Sequence, residues 1–106
     1  MGPGANLTYC DMHHWVLEGV DLTGANLVRA NLTTSWLWEA KLIGADLHSA
    51  KLTNAVLRHA DLTRSDLRGA DLTDAELAVS VTTFPGVKLC RTKMPDGSIN
   101  NRDCPR

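Results

Sequence analysis

The sequence predicts an all-β fold, a solenoid in which the backbone winds through short five-residue units. Three observations predict it. An apolar residue recurs at every fifth position from Leu7 to Leu77, a small residue stands two positions before it in most units, and Thr, Asp, Asn and Gly fill many other positions. Aromatic residues make up only 5% of the chain, too few for the core of an ordinary globular domain of 106 residues. Internal repeats of this kind determine the architecture before any local secondary-structure signal does.

The repeat comprises fifteen units between Ala5 and Val79. The central residues, which we expect to fill the lumen, are fourteen leucines and one methionine: Leu7, Met12, Leu17, Leu22, Leu27, Leu32, Leu37, Leu42, Leu47, Leu52, Leu57, Leu62, Leu67, Leu72 and Leu77. Ten units carry alanine at the small position: Ala5, Ala25, Ala30, Ala40, Ala45, Ala50, Ala55, Ala60, Ala70 and Ala75. Ser35 and Ser65 are small substitutes, whereas Cys10, Trp15 and Val20 depart from the pattern.

A period of five fits neither a helix nor a straight strand. Five residues advance about 500° around an α-helix, so successive leucines would scatter around its axis. In a straight strand they would alternate between the two faces. The period is satisfied if each unit is a short in-out-in strand followed by a two-residue bend, which the frequent Thr, Asp, Asn and Gly favour.

Three consecutive units, Ala60–Arg64, Ser65–Gly69 and Ala70–Asp74, resemble the A-(D/N)-L-x-x unit of the pentapeptide-repeat family. The resemblance implies a right-handed quadrilateral parallel β-helix of about four coils, with four units and roughly twenty residues in each turn. The chain then divides into a leader at residues 1–4, the repeats at residues 5–79 and a C-terminal capping segment at residues 80–106.

A twenty-residue turn stacks residues twenty apart, so each outer side can be read as a column. One column alternates Asp21, Lys41 and Asp61, which favours local stabilisation between adjacent coils. The fourth side instead carries a candidate interaction patch, which consists of Val16, Trp36, Trp38 and Val56. Exposed apolar patches need an explanation. We favour coverage by the chain's own tail; a protein partner or self-association through this apolar face is the alternative.

Both ends of the repeat depart from its regular pattern. In the first coil, bulky Cys10, Met12, Trp15 and Val20 replace Ala and Leu, and we expect them to plug the lumen. Phe84, Val87 and Leu89 are candidates for closing the other end. Residues 80–106 have a net charge of +3 against −4 for the rest of the chain, which suits a tail docked on its own repeats.

Two of the three cysteines lie in the tail. The turn at Met94–Gly97 brings Cys90 near Cys104. The stretch from Cys90 to Cys104 is also similar to the C-terminal segment of cyanobacterial and thylakoid-lumen pentapeptide proteins, and that resemblance implies a disulfide-closed cap. A bonded pair indicates an oxidising compartment (periplasm, thylakoid lumen or secreted); two free thiols would indicate the cytoplasm. Cys10 is expected to be buried and unpaired.

The residues that could carry chemistry are separated by the repeat. No two of the four histidines share a column, Cys90 and Cys104 lack a C-x-x-C partner, and the small-position serines point inward. We therefore expect no enzyme activity, no cofactor and no metal. A net charge of −1 gives no argument for nucleic acid, and no apolar stretch is long enough to span a membrane.

The sequence predicts a non-enzymatic structural or protein-interaction module. The family resemblance supplies one alternative, since some of its members imitate DNA and bind DNA gyrase in quinolone resistance. Mimicry of that kind needs a long, strongly acidic rod. In this chain the acidic side chains are interleaved with Lys41, Lys51, Arg58 and other cations, so gyrase binding is the second interpretation.

Overall fold

In the computed structural model, which describes residues 1–105, single-residue parallel bridges join residues that are twenty apart. One column runs from Asn6 through Asn26 and Asp46 to Asp66. The backbone bonds follow the same spacing: the Asn26 N–H donates to the Ala5 carbonyl at 2.8 Å, and the Leu7 N–H to the Asn26 carbonyl at 2.7 Å. The resulting rod measures 36 × 24 × 23 Å.

Each unit bends at a four-residue turn. The Leu7 carbonyl accepts from the Cys10 N–H at 3.1 Å, and the residue before Cys10, Tyr9, has a φ of 61°. Positive φ at the third turn position is the type II pattern, which glycine adopts without strain. Ten non-glycine residues of the repeats nevertheless hold it: Tyr9, His14, Arg29, Thr34, Glu39, Ser49, Asn54, His59, Arg64 and Asp74.

The aspartates and asparagines that precede the lumen residues stabilise these turns. Asp61 Oδ1, for example, accepts from the Thr63 backbone N–H at 2.9 Å, and Asp71 Oδ1 from the Thr73 N–H at 3.0 Å. This local bond to the residue two positions later is typical of Asp and Asn in turns. It explains why the repeat prefers these two residues at that position.

Apolar side chains fill the lumen from end to end. Thirteen of the fifteen central residues are buried, while Leu7 and Leu77, at the two ends of the repeat, are partly buried against the same core. The small positions from Ala25 to Ala75 are buried too, whereas those of the first coil are not fully buried. Ser35 and Ser65 are fully buried there, and neither side-chain oxygen has a hydrogen-bond partner among the described residues.

The coil continues beyond Val79, where the sequence pattern breaks. Lys88 forms a parallel bridge with Asp66 and Lys93 with Asp71, so the spacing changes from twenty to twenty-two residues. Phe84 packs against the core and Leu89 and Met94 are buried in it, again five residues apart. Residues 82–96 are therefore three further units, and a two-residue insertion had concealed them.

The regular secondary-structure elements all lie in this C-terminal part. A short 3-10 helix spans Val81–Thr83 where the insertion lies, and the Ser80 side chain accepts from the Thr82 N–H at its start. Strand β1, Thr92–Lys93, pairs antiparallel with β2, Ile99–Asn100, across the turn at residues 94–98. Cys90 and Cys104 form a disulfide, and Cys10 is free and half-buried.

The N-terminal end differs from expectation at Trp15. This side chain was expected to plug the lumen, but it is 47% exposed. Met12, which has no exposed surface, and Leu17 already fill the lumen at that level, so a position suited to alanine leaves the indole outside.

Residues 1–4, assigned to a leader, join the coil: the Gly4 N–H donates to the Thr23 carbonyl at 2.9 Å, and Gly2 and Ala5 close a turn.

Candidate functional site

The strongest candidate is the apolar face, which we define as Val16, Trp36, Trp38 and Val56. Parallel bridges join Val16 to Trp36 and Trp36 to Val56, so these three occupy successive coils of one column. Val16 is 76% exposed and Trp36 45% exposed, whereas Trp38 and Val56 are half-buried. The column thus presents an apolar stripe along one side of the rod.

Polar contacts fix the edge of this face. The Trp38 indole Nε1 donates to Glu39 Oε1 at 2.9 Å, and its ring meets the His59 ring edge-on with centroids 5.5 Å apart. Below Val56, Arg58 Nη1 lies 3.4 Å from Glu76 Oε1. An apolar centre with a polar border is the usual anatomy of a protein–protein contact surface.

The tail does not cover the apolar face, so the coverage that the sequence analysis favoured is wrong. Its bridges to Asp66 and Asp71 lie on other columns. Val87 and Leu89 are buried in the core at the C-terminal end, and the Leu89 carbonyl accepts from the Asp103 N–H at 2.7 Å. The tail extends and caps the coil because its apolar residues keep the five-residue spacing of the lumen.

Trp15 is a neighbour of this face that sequence reasoning missed. It directly precedes Val16 and is half-exposed, which enlarges the apolar surface at the first coil. Its position in the repeat suggested an inward side chain. The signal that could have revealed it was its size, since ten other units carry alanine there.

The remaining columns carry charges in the arrangement that the sequence predicts. Lys41 is bridged to Asp21 on one side and to Asp61 on the other. Hydrogen bonds from the Thr63 hydroxyl and N–H hold the pKa of Asp61 below its usual value. Burial raises the pKa of Asp66, but the hydrogen bonds from Arg68 outweigh it and the net shift is downward. These carboxylates stabilise turns and neighbouring coils.

The histidines do not assemble a site. His13 Nδ1 lies 2.6 Å from Asp11 Oδ1, and His14 bonds to the Thr34 hydroxyl of the next coil. In residues 1–105, no group of three or more His, Cys, Asp or Glu side chains is placed to hold a metal ion. The same residues include no helix with the length and apolarity of a membrane span.

Comparison with known proteins identifies the repeat. The family model described as pentapeptide repeats matches residues 4–38 and 40–77, in eight copies. Among solved structures, the chain is similar to the pentapeptide repeat protein Rfr23 from the cyanobacterium Cyanothece 51142, with 36% identity over 79% of this chain and 52% of that one, and a TM-score of 0.57. It therefore spans about half the length of that relative.

Two further solved structures are less similar. HetL from Nostoc sp. strain PCC 7120, a pentapeptide repeat protein involved in heterocyst differentiation regulation, is 30% identical over 92% of this chain and 52% of its own, with a TM-score of 0.46. A pentapeptide repeat protein of the Arabidopsis thaliana thylakoid lumen is 26% identical over 92% of this chain and 70% of its own, with a TM-score of 0.43. No curated protein matches the chain.

Pentapeptide repeat proteins fold as right-handed β-helices and are generally structural or interaction modules. The Cys90–Cys104 disulfide is compatible with an oxidising compartment. The family model covers most of the repeats and agrees with the five-residue units and twenty-residue turns of the structure. The chain belongs to the pentapeptide-repeat family.

Proposed function

We propose that the chain is a non-catalytic protein-interaction module, a four-sided rod of about four coils that binds a protein partner through the apolar face. One observation carries the proposal. Val16 and Trp36 stack in one column and remain 76% and 45% exposed, because the tail docks on other sides of the rod. Exposed apolar columns and tryptophans are characteristic of interaction surfaces.

The geometry favours a protein over a small ligand. The apolar residues repeat at the coil spacing of about 4.8 Å and form a flat stripe rather than a pocket. Their backbones are held by bonds to neighbouring coils; the Trp36 N–H, for example, donates to the Trp15 carbonyl at 2.8 Å. A rigid surface loses little conformational entropy when it binds, which supports affinity from a modest contact area.

Gyrase binding is the alternative that the family resemblance raised. The columns oppose it, since Lys41 is bridged between Asp21 and Asp61, and Lys51 between Asn31 and Asp71. These cations interrupt the continuous negative potential that imitation of DNA requires. A DNA supercoiling assay tests this alternative: inhibition of gyrase at micromolar concentration would support it over our proposal.

Matched variants test the apolar face. We would capture partners from host-cell extract with the wild-type chain, with Trp36→Asn and with Lys51→Asn, an exposed control on another side. The captured protein would then be purified and titrated. We expect Trp36→Asn to weaken binding by roughly thirtyfold, the effect of losing an aromatic anchor worth about 2 kcal/mol. Equal affinity of all three chains for the purified partner would contradict the proposal.

Self-association needs its own measurement. Sedimentation equilibrium of the purified chain shows whether copies bind one another, and Trp36→Asn shows whether they do so through this face. A wild-type dimer that Trp36→Asn converts to a monomer would assign the face to contacts between copies. A monomer in both cases leaves the face to a different protein.

A further inference from the structure

The backbone ladder is interrupted on one side of the coil. In the regular pattern the Glu39 N–H donates to the Arg58 carbonyl at 3.0 Å, the Leu42 N–H to the Asp61 carbonyl at 2.8 Å, and the Asp61 N–H to the Ala40 carbonyl at 2.9 Å. One coil further on, the equivalent groups are the His59 N–H, the Leu62 N–H and the Ala60 carbonyl. Within residues 1–105, none of the three has a backbone partner in the next coil.

The two-residue insertion causes this interruption. Thr83 would regularly bond to Ala60 and Leu62, but its N–H donates to the Ser80 carbonyl at 3.0 Å within the 3-10 helix. The Arg102 side chain holds the insertion in place through the Thr82 carbonyl at 3.1 Å. The insertion thereby leaves one unit of the coil above without its regular backbone partners in the next coil.

The interruption is one unit wide and regular bonding resumes on both sides of it. The Leu57 N–H donates to the Glu76 carbonyl at 2.7 Å, and the Arg64 N–H to the Pro85 carbonyl at 2.8 Å. We call residues His59–Leu62 with their unbonded backbone groups the gap. Backbone groups without a partner are costly when they are shielded from water, so a gap of this kind favours an added strand.

A cavity of about 430 Å³ lies at the gap. Its lining includes His59, Ala60 and Asp61 of the gap. It also includes apolar side chains, among them Leu77, Val79 and Phe84. A strand edge facing an apolar wall suits an extended peptide, whose main chain needs hydrogen-bond partners and whose side chains need apolar contact.

Neighbouring columns indicate the charge of the occupant. In two of these columns a lysine of the tail lies on the coil next to an aspartate: Lys88 is bridged to Asp66, and Lys93 to Asp71. The column of Asp21, Lys41 and Asp61 ends at Asp61 without such a cation, although the alternation calls for one. Opposite charges on adjacent strands are favourable, so a Lys or Arg of the occupant would complete the column.

We propose that the gap binds an extended, lysine- or arginine-bearing segment of a partner protein, whose main chain supplies the backbone hydrogen bonds that the next coil does not make. The inference rests on the proposed function in that the ligand is a protein. The Trp38 ring contacts His59, which lines the cavity, so the gap adjoins the apolar face. One partner can therefore contact both surfaces.

Amide hydrogen exchange on the isotopically labelled, oxidised full chain tests the inference. The probe is the blocked peptide Ac-Val-Thr-Lys-Val-Thr-NH₂, compared with its Lys-to-Glu counterpart and with a version N-methylated along the backbone. In the free protein we expect the Leu62 and His59 amides to exchange faster than those of Leu57 and Leu67. Saturating lysine peptide should slow both by about tenfold or more, and the glutamate peptide should bind about fivefold more weakly.

Variants supply the controls. Asp61→Asn should reduce the preference for lysine over glutamate, whereas Asp21→Asn, in the same column but two coils away, should not. Deletion of Val79 and Ser80 restores the five-residue spacing between Leu77 and Phe84, so it should close the gap and abolish binding. If that deletion does not fold, the N-methylated peptide provides the equivalent control, because it lacks the donors that Ala60 needs.

Several results would overturn the inference. In the free chain, the Leu62 and His59 amides would already be as protected as that of Leu57. Alternatively, their exchange would not change at a high concentration of the lysine peptide, or the N-methylated peptide would bind as tightly as the unmethylated one. Trp36→Asn keeps this test apart from that of the apolar face, because it leaves the gap intact. If Trp36→Asn still binds the peptide, the peptide site at the gap is supported even where partner binding through the apolar face is not.

Discussion

Ser35 and Ser65 are the two positions where the regular lumen carries an uncompensated polar group. Both are fully buried, and neither Oγ has a hydrogen-bond partner among the described residues. Ten other units place alanine at the same position. A buried hydroxyl without a partner costs about 1–3 kcal/mol, and removing the oxygen leaves a side chain that the repeat already accommodates.

We therefore expect Ser35→Ala and Ser65→Ala each to raise the free energy of unfolding by about 1 kcal/mol. For a domain of this size, that corresponds to an increase in Tm of about 4–8 °C. The two serines belong to different columns, so the double variant should gain about twice as much. Urea unfolding followed by circular dichroism gives the free energies, and thermal scans give the Tm values.

The matched control is Ala50→Ser, which introduces a hydroxyl at the same position of a column without serine; Ala50 is 1% exposed. It should lower the free energy of unfolding by about the amount that the alanine variants gain. If both serine-to-alanine variants are neutral or destabilising while Ala50→Ser is destabilising, the two native hydroxyls have partners and the reasoning fails.

Three further predictions concern other parts of the rod. Leu42 has no exposed surface, so Leu42→Ala should lower the free energy of unfolding by about 3–5 kcal/mol. Urea unfolding measures this against the exposed control Lys41→Ala. Cys104→Ser should cost about 3 kcal/mol, because the bond closes a loop between residues fourteen apart; a Tm unchanged by reductant would contradict this. Hydrogen bonds from Thr63 and Thr73 keep the pKa values of Asp61 and Asp71 below the ordinary 3.8, and for Asp71 they do so against burial, which raises it. These carboxylates stabilise the fold above that pH, so unfolding free energy should fall as the pH drops below about 4, and Asp61→Asn should reduce the pH dependence.

The repeats were predictable because one physical requirement recurs in every unit. Each five-residue unit must bury one large and one small side chain, and Leu and Ala recur at a spacing that neither a helix nor a straight strand explains. The columns followed from the same spacing. The structure pairs Asp21 with Lys41 and Val16 with Trp36 as the twenty-residue turn requires. Once the period is known, the residues that share each outer side of the rod follow from the twenty-residue spacing.

The tail was less predictable because an insertion hides its register. Phe84, Leu89 and Met94 keep the five-residue spacing, but they are displaced by two residues from Leu77. A reading in strict fives therefore ends at Val79. Without that continuation, the positive tail seemed free to cover the apolar face. The gap was equally hidden, because it depends on which backbone groups the displaced coil fails to reach.

The same insertion has a consequence for cooperativity. In a solenoid each coil contacts only the coils next to it, so the cooperativity of unfolding between two coils depends on the contacts between them. Where the ladder lacks its bonds at His59–Leu62, that coupling is weakest. We expect residues 83–104 to open as a unit of their own while the coils above stay folded, with the disulfide retaining the loop that it closes. The rod would then have a partly independent lower end, whose opening would widen or close the gap without unfolding the protein.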